Sequence, residues 1–355
     1  MKKSGRILIG ADIVPTEKNL SAFINADTQA LVGEELESIL KNADYRIFNL
    51  ETAIYDGNTP IKKAGPNVSA PTACLNGYKA LGADLLSIAN NHVYDHGEEG
   101  FLSTISALES YGIDSVGGGK TVSEAKKPYV FTLAGKRIGV YACCEHEYSW
   151  ALDFGSGSNG FDPLESLDEI KALKEEVDHV IVLYHGGKEH YRYPSPYLRK
   201  VCRKMVEKGA DLVLCQHTHC VGATESYQGG NIVYGQGNFL FQLLNNEHWR
   251  TGMLVAVDVN EDGLSYEYIP VERTETGVRL SKDASILEGL KTRSEEILQD
   301  GFIEKKYGEF AKSLKDLYLG ILARAETMEK TATIRNFIEC EAHREVIIRM
   351  LKDLL

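Results

Sequence analysis

The sequence predicts a mixed α/β (α+β) protein, and three observations support this prediction. Short apolar runs rich in β-branched residues alternate with segments of helical spacing through residues 1–280. Polar residues that can bind metals follow several of these runs. After about Leu280 the chain is charged, poor in glycine and helical in period. We therefore expect an α/β domain over residues 1–280 and a helical extension over residues 281–355.

The first half of the chain repeats the order strand, loop and helix. We expect strands at Arg6–Ile13, Tyr45–Leu50 and Asp84–Ala89, a hairpin of Tyr129–Leu133 with Arg137–Cys143, and helices within Glu17–Ile39, Asn76–Gly82 and Gly97–Gly112. The last of these helices has Phe101, Ile105 and Leu108 on one face and closes on a glycine, as helices often do. The run Gly117-Gly118-Gly119 predicts a turn and not a phosphate-binding loop, because no GK[ST] follows at the required spacing.

The second half continues the alternation and then changes character. We expect strands at Val180–Tyr184, Leu212–Cys215, Ile232–Tyr234, Gly252–Val259 and Leu264–Pro270, a glycine-rich turn at Gly235–Phe239, and helices at Leu164–Val177 and Tyr197–Lys208. Beyond Leu280 the spacing predicts two or three helices, with Leu314, Leu317 and Tyr318 on one face. Acidic and basic residues are mixed there, so we expect these helices to pack or to mediate homo-oligomerisation and not to lie on a membrane.

Composition and charge limit the functions that the chain can carry. Its 355 residues are 43% hydrophobic, which is enough for one large core or for one core with an appended unit. The formal net charge of −12 argues against nucleic-acid binding, which depends on lysine and arginine. A buried pair of cations would still attract anions locally, so an anionic small-molecule or polymer substrate stays allowed.

Cysteine use and the N-terminus predict a cytoplasmic protein. The seven cysteines show no spacing typical of a disulfide framework or a zinc knuckle, so we expect reduced thiols. Cys143 and Cys144 should pack as small apolar groups. The apolar stretch Ile7–Val14 is interrupted by Gly10 and Asp12 and is too short for a signal segment or a membrane span. No other stretch reaches spanning length, so no transmembrane segment is expected.

Six side chains with metal-binding atoms fall where predicted strands end. They are Asp12, Glu51, Asn91, His185, His217 and His219. A two-metal hydrolase needs a carboxylate that bridges cations about 3.5–4 Å apart, with imidazole and amide ligands around it. These residues supply that set, and the mixture suits manganese, iron or zinc. Each histidine alone is more often a surface or core residue, and only their coincidence at strand ends predicts one or two divalent ions.

His92 is predicted to be a catalytic acid. It directly follows Asn91 and should point away from that ligand, toward the substrate. A histidine held beside a metal-bound substrate can protonate a leaving group. Asp95, three residues further on, would fix the imidazole tautomer. His179 and His343 lack such a context, and we expect both at the surface.

Five motifs resemble those of one protein family. They are Asn49-Leu50-Glu51-Thr52; Ala89-Asn90-Asn91-His92 with Asp95 and Gly97; His185-Gly186-Gly187 with Glu189; Gly209-Ala210-Asp211 leading to His217-Thr218-His219; and Tyr234 with Gly237-Asn238-Phe239. Over about residues 5–270 the chain resembles the CapA family of capsule and poly-γ-glutamate synthesis proteins, which is similar in fold to the calcineurin-like metallophosphatases. The resemblance implies a four-layer αββα sandwich, with two mixed sheets between helices and metals at one edge.

The resemblance also implies a role for each matched residue. Asp12 and His219 would bind the first metal ion, Glu51 would bridge, and Asn91, His185 and His217 would bind the second. His92 would be the acid. The metallophosphatase pattern has a histidine two residues after its first aspartate, where this chain has Val14, so the first ion is one ligand short. His146, between Glu145 and Glu147, is either the replacement ligand or a loop residue at the sheet edge.

Four further residues are expected to bind the substrate. Lys63 and Asn67 lie in the loop after the second strand, where they either meet an anionic group or face solvent. Glu189 should line the entrance to the site rather than bind metal. Asn238 belongs to the last matched motif.

The sequence supports two hypotheses for the function, one catalytic and one non-catalytic. The leading hypothesis is a metal-dependent enzyme of capsule or poly-γ-glutamate metabolism that hydrolyses a phosphoester or a γ-glutamyl-type amide. The alternative is a non-catalytic capsule-assembly component that retains a structural or polymer-binding metal site. Val14 favours the alternative, whereas His92 and Asp95 favour the enzyme because a purely structural site needs no acid.

Overall fold

The computed structural model describes residues 4–151, 155–323 and 328–352. The strands are β1 Gly5–Val14, β2 Tyr45–Leu50, β3 Ala53–Ile54, β4 Ser69–Ala70, β5 Leu85–Ser87, β6 Asp114–Val116, β7 Gly118–Gly119, β8 Tyr129–Leu133, β9 Lys136–Cys144, β10 Gly157–Ser158, β11 His179–His185, β12 Leu212–Gln216, β13 Thr224–Tyr227, β14 Gly230–Val233, β15 Asn238–Phe241, β16 Thr251–Asn260, β17 Gly263–Arg273 and β18 Val278–Leu280. The helices are α1 Leu20–Ile24, α2 Thr28–Leu31, α3 Gly33–Asn42, α4 Leu75–Ala80, α5 Gly97–Tyr111, α6 Val122–Ala125, α7 Ser166–Glu176, α8 Pro196–Glu207, α9 Ser285–Glu296, α10 Phe302–Ser313, α11 Lys315–Leu322, α12 Met328–Glu339 and α13 Glu341–Lys352.

Most strands belong to two large mixed sheets. In the first sheet the order is β18-β17-β16-β1-β2-β5-β6, and β15 pairs in parallel with the end of β1. Strand β1 is parallel to β2 and antiparallel to β16. In the second sheet the order is β13-β14-β12-β11-β9-β8, and its four central strands run parallel.

Three apolar cores separate four layers of structure. The inner core lies between the two sheets and includes Ile9 and Ile47 from the first sheet and Val140 and Ile181 from the second. A second core joins the first sheet to α1–α5, and a third joins the second sheet to α7 and α8. The predicted four-layer αββα sandwich is thus confirmed.

An irregular pairing at the end of β1 positions Asp12. The register between β1 and β2 shifts between Ile9 and Asp12, and that between β1 and β15 shifts between Asp12 and Ile13. Asp12 consequently pairs with Asn49 on one side and with Asn238 on the other. Bulges of this kind redirect side chains next to active sites.

Within the described residues the C-terminal extension has five helices, not the two or three expected. Only Leu314 separates α10 from α11, and only Cys340 separates α12 from α13. The chain therefore turns without the glycine or proline that marks helix ends in a sequence. Helix α9 and the start of α10 pack on the sandwich through Ile286 and Ile303. Helices α10–α13 share a core with Tyr191, from the loop after β11. The division at residue 280 stays a prediction.

Several local features differ from the sequence-based expectation. Gly118 and Gly119 form strand β7, which pairs with β10, instead of a turn. A Cβ on Gly119 would lie 2.4 Å from the Cβ of Glu124, so only glycine allows the chain to pass this close to α6. Segment Glu17–Ile39 gives three short helices that run on to Asn42, and the expected glycine-rich turn includes strand β15. The hairpin of β8 and β9 and the helix α5 are confirmed.

Two histidines that were expected at the surface lie partly buried. His343 packs against Phe337 in a stacked arrangement, and its Nδ1 lies 2.6 Å from the Tyr318 hydroxyl. His179 is 14% exposed beside Asp211. All seven cysteines are buried free thiols, and Cys143 and Cys144 pack in the apolar cores as expected. Within the described part of the chain, no helix combines the length and hydrophobicity needed to cross a bilayer.

Candidate metal centre

The ends of strands from both sheets bring the six predicted ligands into one buried cluster. They lie near or directly after the ends of β1 (Asp12), β2 (Glu51), β5 (Asn91), β11 (His185) and β12 (His217 and His219). None of the six is more than 6% exposed. The two sheets pack face to face, so strand ends that are distant in sequence meet at a single edge of the sandwich.

Asp12 is held by polar groups from both sheets. Asn49 donates its side-chain amide to Oδ1 at 2.8 Å, and the backbone N–H of His217 donates to Oδ2 at 3.4 Å. The Nδ1 atom of His219 lies 3.7 Å from Oδ2. Burial, followed by the nearby Glu51 carboxylate, raises the pKa of Asp12 to about 7. A bound cation would offset both effects, because it favours the ionised carboxylate.

Glu51 is fully buried, and neither of its carboxylate oxygens has a hydrogen-bond partner among the described residues. Burial raises the pKa of Glu51 to about 8. The Nε2 atom of His185 is 3.3 Å from Oε1. Buried carboxyl groups in native proteins are normally hydrogen-bonded or neutralised, so an orphaned one needs an explanation. A cation that this carboxylate binds would satisfy both oxygens.

His185 lies at the centre of the cluster. Its Nε2 is 3.0 Å from Asn91 Oδ1, and its Nδ1 is 3.2 Å from Asn49 Nδ2. Burial lowers the pKa of His185 to about 4. The imidazole is therefore neutral at neutral pH, which is the form that binds metal ions.

The two histidines after β12 have left-handed backbone conformations. Their φ angles are 81° at His217 and 54° at His219, values that are uncommon outside glycine and concentrate at functional sites. Burial lowers their pKa values to about 4 and about 3. His219 Nδ1 lies 2.8 Å from Asn238 Oδ1, whereas His217 Nδ1 is buried without a partner in the described chain. That nitrogen is a second group that a cation would satisfy.

Among the described residues, three overlapping sets of side chains bring their ligand atoms within 4.8 Å of one another. They are Asp12–Glu51–His219, Glu51–His185–His217 and Glu189–His217–His219. Glu51 belongs to the first two sets, as a bridging carboxylate would. Carboxylate oxygens with imidazole nitrogens suit manganese, iron or zinc. The residues therefore fit one or two divalent ions.

His92 and Asp95 form a hydrogen-bonded pair beside this cluster. The His92 Nδ1 atom lies 2.7 Å from Oδ2 of the buried Asp95. Lys63, whose side chain is 2% exposed, forms an ion pair with the other oxygen of Asp95 and lies 3.2 Å from His92 Nδ1. Although burial opposes it, His92 and Lys63 lower the pKa of Asp95. Asp95 thus stays ionised and orients the imidazole through Nδ1, so Nε2 of His92 takes no part in this pair.

The four residues expected to bind substrate occupy two places. Lys63 and Asn67 belong to the loop around His92, where Asn67 donates to the backbone oxygens of Ile61 at 3.0 Å and Asp95 at 2.7 Å. Asn238 and Glu189 lie at the metal-ligand cluster itself. Although burial opposes it, Lys188 and the histidines at 217 and 219 hold the pKa of Glu189 well below its usual range. The Nδ2 atom of Asn238 is buried without a partner in the described chain.

Glu147 is part of the site, although the sequence pattern assigned it no role apart from flanking His146. Its Oε2 accepts from Asn91 Nδ2 at 3.2 Å and lies 3.5 Å from His217 Nε2. Although burial opposes it, His217 and His343 lower the pKa of Glu147 to about 2. Glu147 lies in the loop after β9 rather than directly at a strand end, so the pattern that found the other residues does not mark it.

The position of the missing histidine is apolar, and His146 faces elsewhere. Val14 is buried in a cluster with Phe241 and Trp249. His146 Nδ1 lies 2.7 Å from Glu341 Oε1 on α13, and this hydrogen bond raises the pKa of His146. His146 therefore links the loop after β9 to the C-terminal extension.

Part of the chain matches the model of a known protein family. Residues 6–243 match the family model described as bacterial capsule synthesis protein PGA_cap. The chain is 28% identical over 233 residues to the capsule biosynthesis protein CapA of Bacillus anthracis, a match that covers 63% of this chain and 57% of that protein. It is 27% identical over 263 residues to the PGA biosynthesis protein CapA of Bacillus subtilis (strain 168), covering 70% of this chain and 67% of that protein.

A solved structure of a novel phosphatase from Mycoplasma pneumoniae is also similar, with a TM-score of 0.47 and 16% identity over 85% of this chain and 99% of that chain. The chain spans 57% of the length of the Bacillus anthracis relative, which is less than two thirds. The family match itself extends over more than half of the chain and includes all six clustered ligands. This chain therefore belongs to the bacterial capsule synthesis protein PGA_cap family.

Proposed function

We propose that the protein is a metal-dependent hydrolase of capsule or poly-γ-glutamate metabolism, which cleaves a phosphoester or a γ-glutamyl-type amide in an anionic small-molecule or polymer substrate. The main support for this proposal is the carboxylate of Glu51, which has no hydrogen-bond partner among the described residues. It is buried between two sets of metal-binding side chains, which is where a bridging ligand of a two-metal hydrolase belongs. We also propose residues 1–280 as the hydrolase unit and residues 281–355 as its helical extension.

Each group in the site has a chemical task under this proposal. Divalent ions held by Asp12, Glu51, Asn91, His185, His217 and His219 would supply Lewis-acid activation of water and substrate. His92 donates a proton from Nε2 to the leaving group. Asp95 accepts the hydrogen bond from Nδ1 and fixes the tautomer and the orientation of the imidazole. Lys63 keeps Asp95 in place through their ion pair.

A non-catalytic capsule-assembly component with one structural or polymer-binding ion is the second candidate. The apolar surroundings of Val14 favour it, because the first ion then has one ligand fewer than the metallophosphatase pattern provides. The buried pair of His92 and Asp95 counts against it, since a structural ion has no use for a proton donor.

Metal analysis combined with activity assays tests the proposal. The purified protein is analysed for bound metal and assayed with a chromogenic phosphoester and with γ-glutamyl peptides, with and without MnCl2. We expect manganese-dependent turnover, which His92→Asn should reduce by about 10²–10⁴-fold while metal content is unchanged. His179→Asn is the control, because His179 lies at the end of β11 that is far from the ligand His185. This variant should have the turnover of wild type. Absence of turnover on all these substrates, with a single tightly bound ion, would overturn the hydrolase in favour of the second candidate.

A further inference from the structure

We propose that Glu189 is a further metal ligand, which acts with His217 and His219 instead of contacting the substrate as the sequence suggested. The inference rests on the proposed metal centre and adds a carboxylate to it. With Glu189 as a ligand, the metal centre would have as many protein ligands as it would with a histidine at position 14.

The geometry of three side chains is the first support. Ligand atoms of Glu189, His217 and His219 lie within 4.8 Å of one another. This spacing leaves the carboxylate close to both imidazoles without a direct hydrogen bond to either of them. Ligand atoms that bind one ion, each about 2.0–2.2 Å from it, lie at most about 4.4 Å apart. The 4.8 Å limit for these three side chains is close to that value.

The backbone fixes this arrangement. The N–H of His190 donates to the carbonyl oxygen of Thr218 at 2.9 Å, which ties the residue after Glu189 to the residue between the two histidines. On the other side of Glu189, the N–H of Gly187 donates to Glu145 Oε1 at 3.1 Å. The main chain on both sides of Glu189 is therefore anchored, which fixes the point from which its side chain extends toward the imidazoles.

An unsatisfied atom is the independent support for a ligand. His217 is 4% exposed, and its Nδ1 has no partner in the described part of the chain. A buried imidazole nitrogen without a hydrogen bond is unfavourable unless it binds something. Glu189 is only partly buried, in contrast to the other members of the cluster. It therefore lies on the side from which an ion can enter.

Manganese binding measures the role of Glu189 without any assay of turnover. Metal-free wild type, Glu189→Gln and Glu189→Ala are titrated with MnCl2, and the free ion is quantified by electron paramagnetic resonance. We expect the weaker manganese site to lose at least about tenfold in affinity in Glu189→Ala, because even residues behind the ligands contribute that much. Glu189→Gln should show the same loss, or a smaller one if its amide oxygen binds the ion.

A matched control removes the same charge nearby. Glu247 is 77% exposed and contacts His248 at 3.6 Å, so Glu247→Gln should bind manganese within twofold of wild type. Thermal melting of the metal-free variants checks that each is folded. Unchanged manganese affinity in Glu189→Ala would overturn this inference while the metal centre stands. Absence of manganese binding by wild type would overturn the proposed function as well.

Discussion

Asn336 on α12 donates its side-chain amide to Glu147 Oε1 at 2.8 Å, across 189 residues of sequence. The other carboxylate oxygen of Glu147 accepts from Asn91 Nδ2. An amide can present either its oxygen or its nitrogen, and this bond directs the oxygen of Asn91 toward His185, 3.0 Å from Nε2. The C-terminal extension thereby orients a candidate metal ligand through Glu147.

Replacing Asn336 by alanine should weaken metal binding although no ligand is removed. Glu147 would lose the partner of Oε1, so the carboxylate that orients the amide of Asn91 would be less firmly held. Groups that orient metal ligands typically contribute about 10–100-fold in affinity, so we expect at least a tenfold loss for manganese. Arg335→Ala is the control, because Arg335 lies on the same helix with its side chain 61% exposed. Wild-type affinity in Asn336→Ala would show that the extension covers the site without orienting it.

Replacing Lys63 by methionine should destabilise the fold. Lys63 and Asp95 form an ion pair in which the side chains are 2% and 0% exposed. Removing one partner of a buried pair costs about 3–5 kcal/mol, because the remaining charge is left without compensation. Urea unfolding should show a loss of this size in the free energy of unfolding.

The exposed pair of Lys282 and Glu35 provides the comparison for Lys63. Its side chains are 79% and 58% exposed, and pairs of this kind contribute little to stability. Lys282→Met should therefore unfold at the same urea concentration as wild type. If Lys63→Met behaved the same way, His92 and the backbone N–H of Val68 would be sufficient partners for Asp95.

The sequence predicted the site at the strand ends because local patterns mark them. Strand β2 has the predicted bounds, and Glu51 follows it directly. The contribution of the C-terminal helices was not predictable in this way. Glu147 and Asn336 meet only because α12 folds back over the loop after β9, and no spacing within either segment encodes that contact. The backbone conformation was not predictable either, since no local sequence pattern indicates a φ of 81° at His217.

Glu51 should make the metal-free protein less stable as the pH rises. Burial raises the pKa of Glu51 from its ordinary value of 4.5 to about 8. Between these values the folded state keeps a proton that the unfolded state has released. Protonation therefore favours the folded state at low pH, and this contribution is lost as the pH rises toward 8. Glu51→Gln keeps the shape of the side chain and cannot ionise.

Urea unfolding in the presence of a chelator measures this effect. The free energy of unfolding of Glu51→Gln, relative to wild type, should increase steadily between about pH 5 and pH 8. Manganese should reverse the order at the higher pH, because a bound cation favours the ionised carboxylate of wild type. A difference that does not change with pH would contradict a buried, protonated Glu51 in the metal-free protein.

Placing a histidine at position 14 should not create a metal ligand. Val14 is 1% exposed and packs with Phe241 and Trp249. The rings of Phe241 and Trp249 fill the space between Val14 and the candidate ligand His219, with centroids 5.6 and 4.5 Å from its imidazole. Val14→His should therefore overpack an apolar cluster, at a cost of about 1–3 kcal/mol, and leave manganese affinity within twofold of wild type.

The comparison with Val14→Ala separates size from chemistry at this position. Alanine leaves a cavity among Phe241 and Trp249 and adds no polar atom, so it should lower the free energy of unfolding without changing metal binding. Both variants should then share an unchanged manganese affinity in the same titration. A tenfold gain in Val14→His alone would mean that its imidazole reaches the ion, and that the first metal position was short of the ligand that Glu189 is proposed to supply.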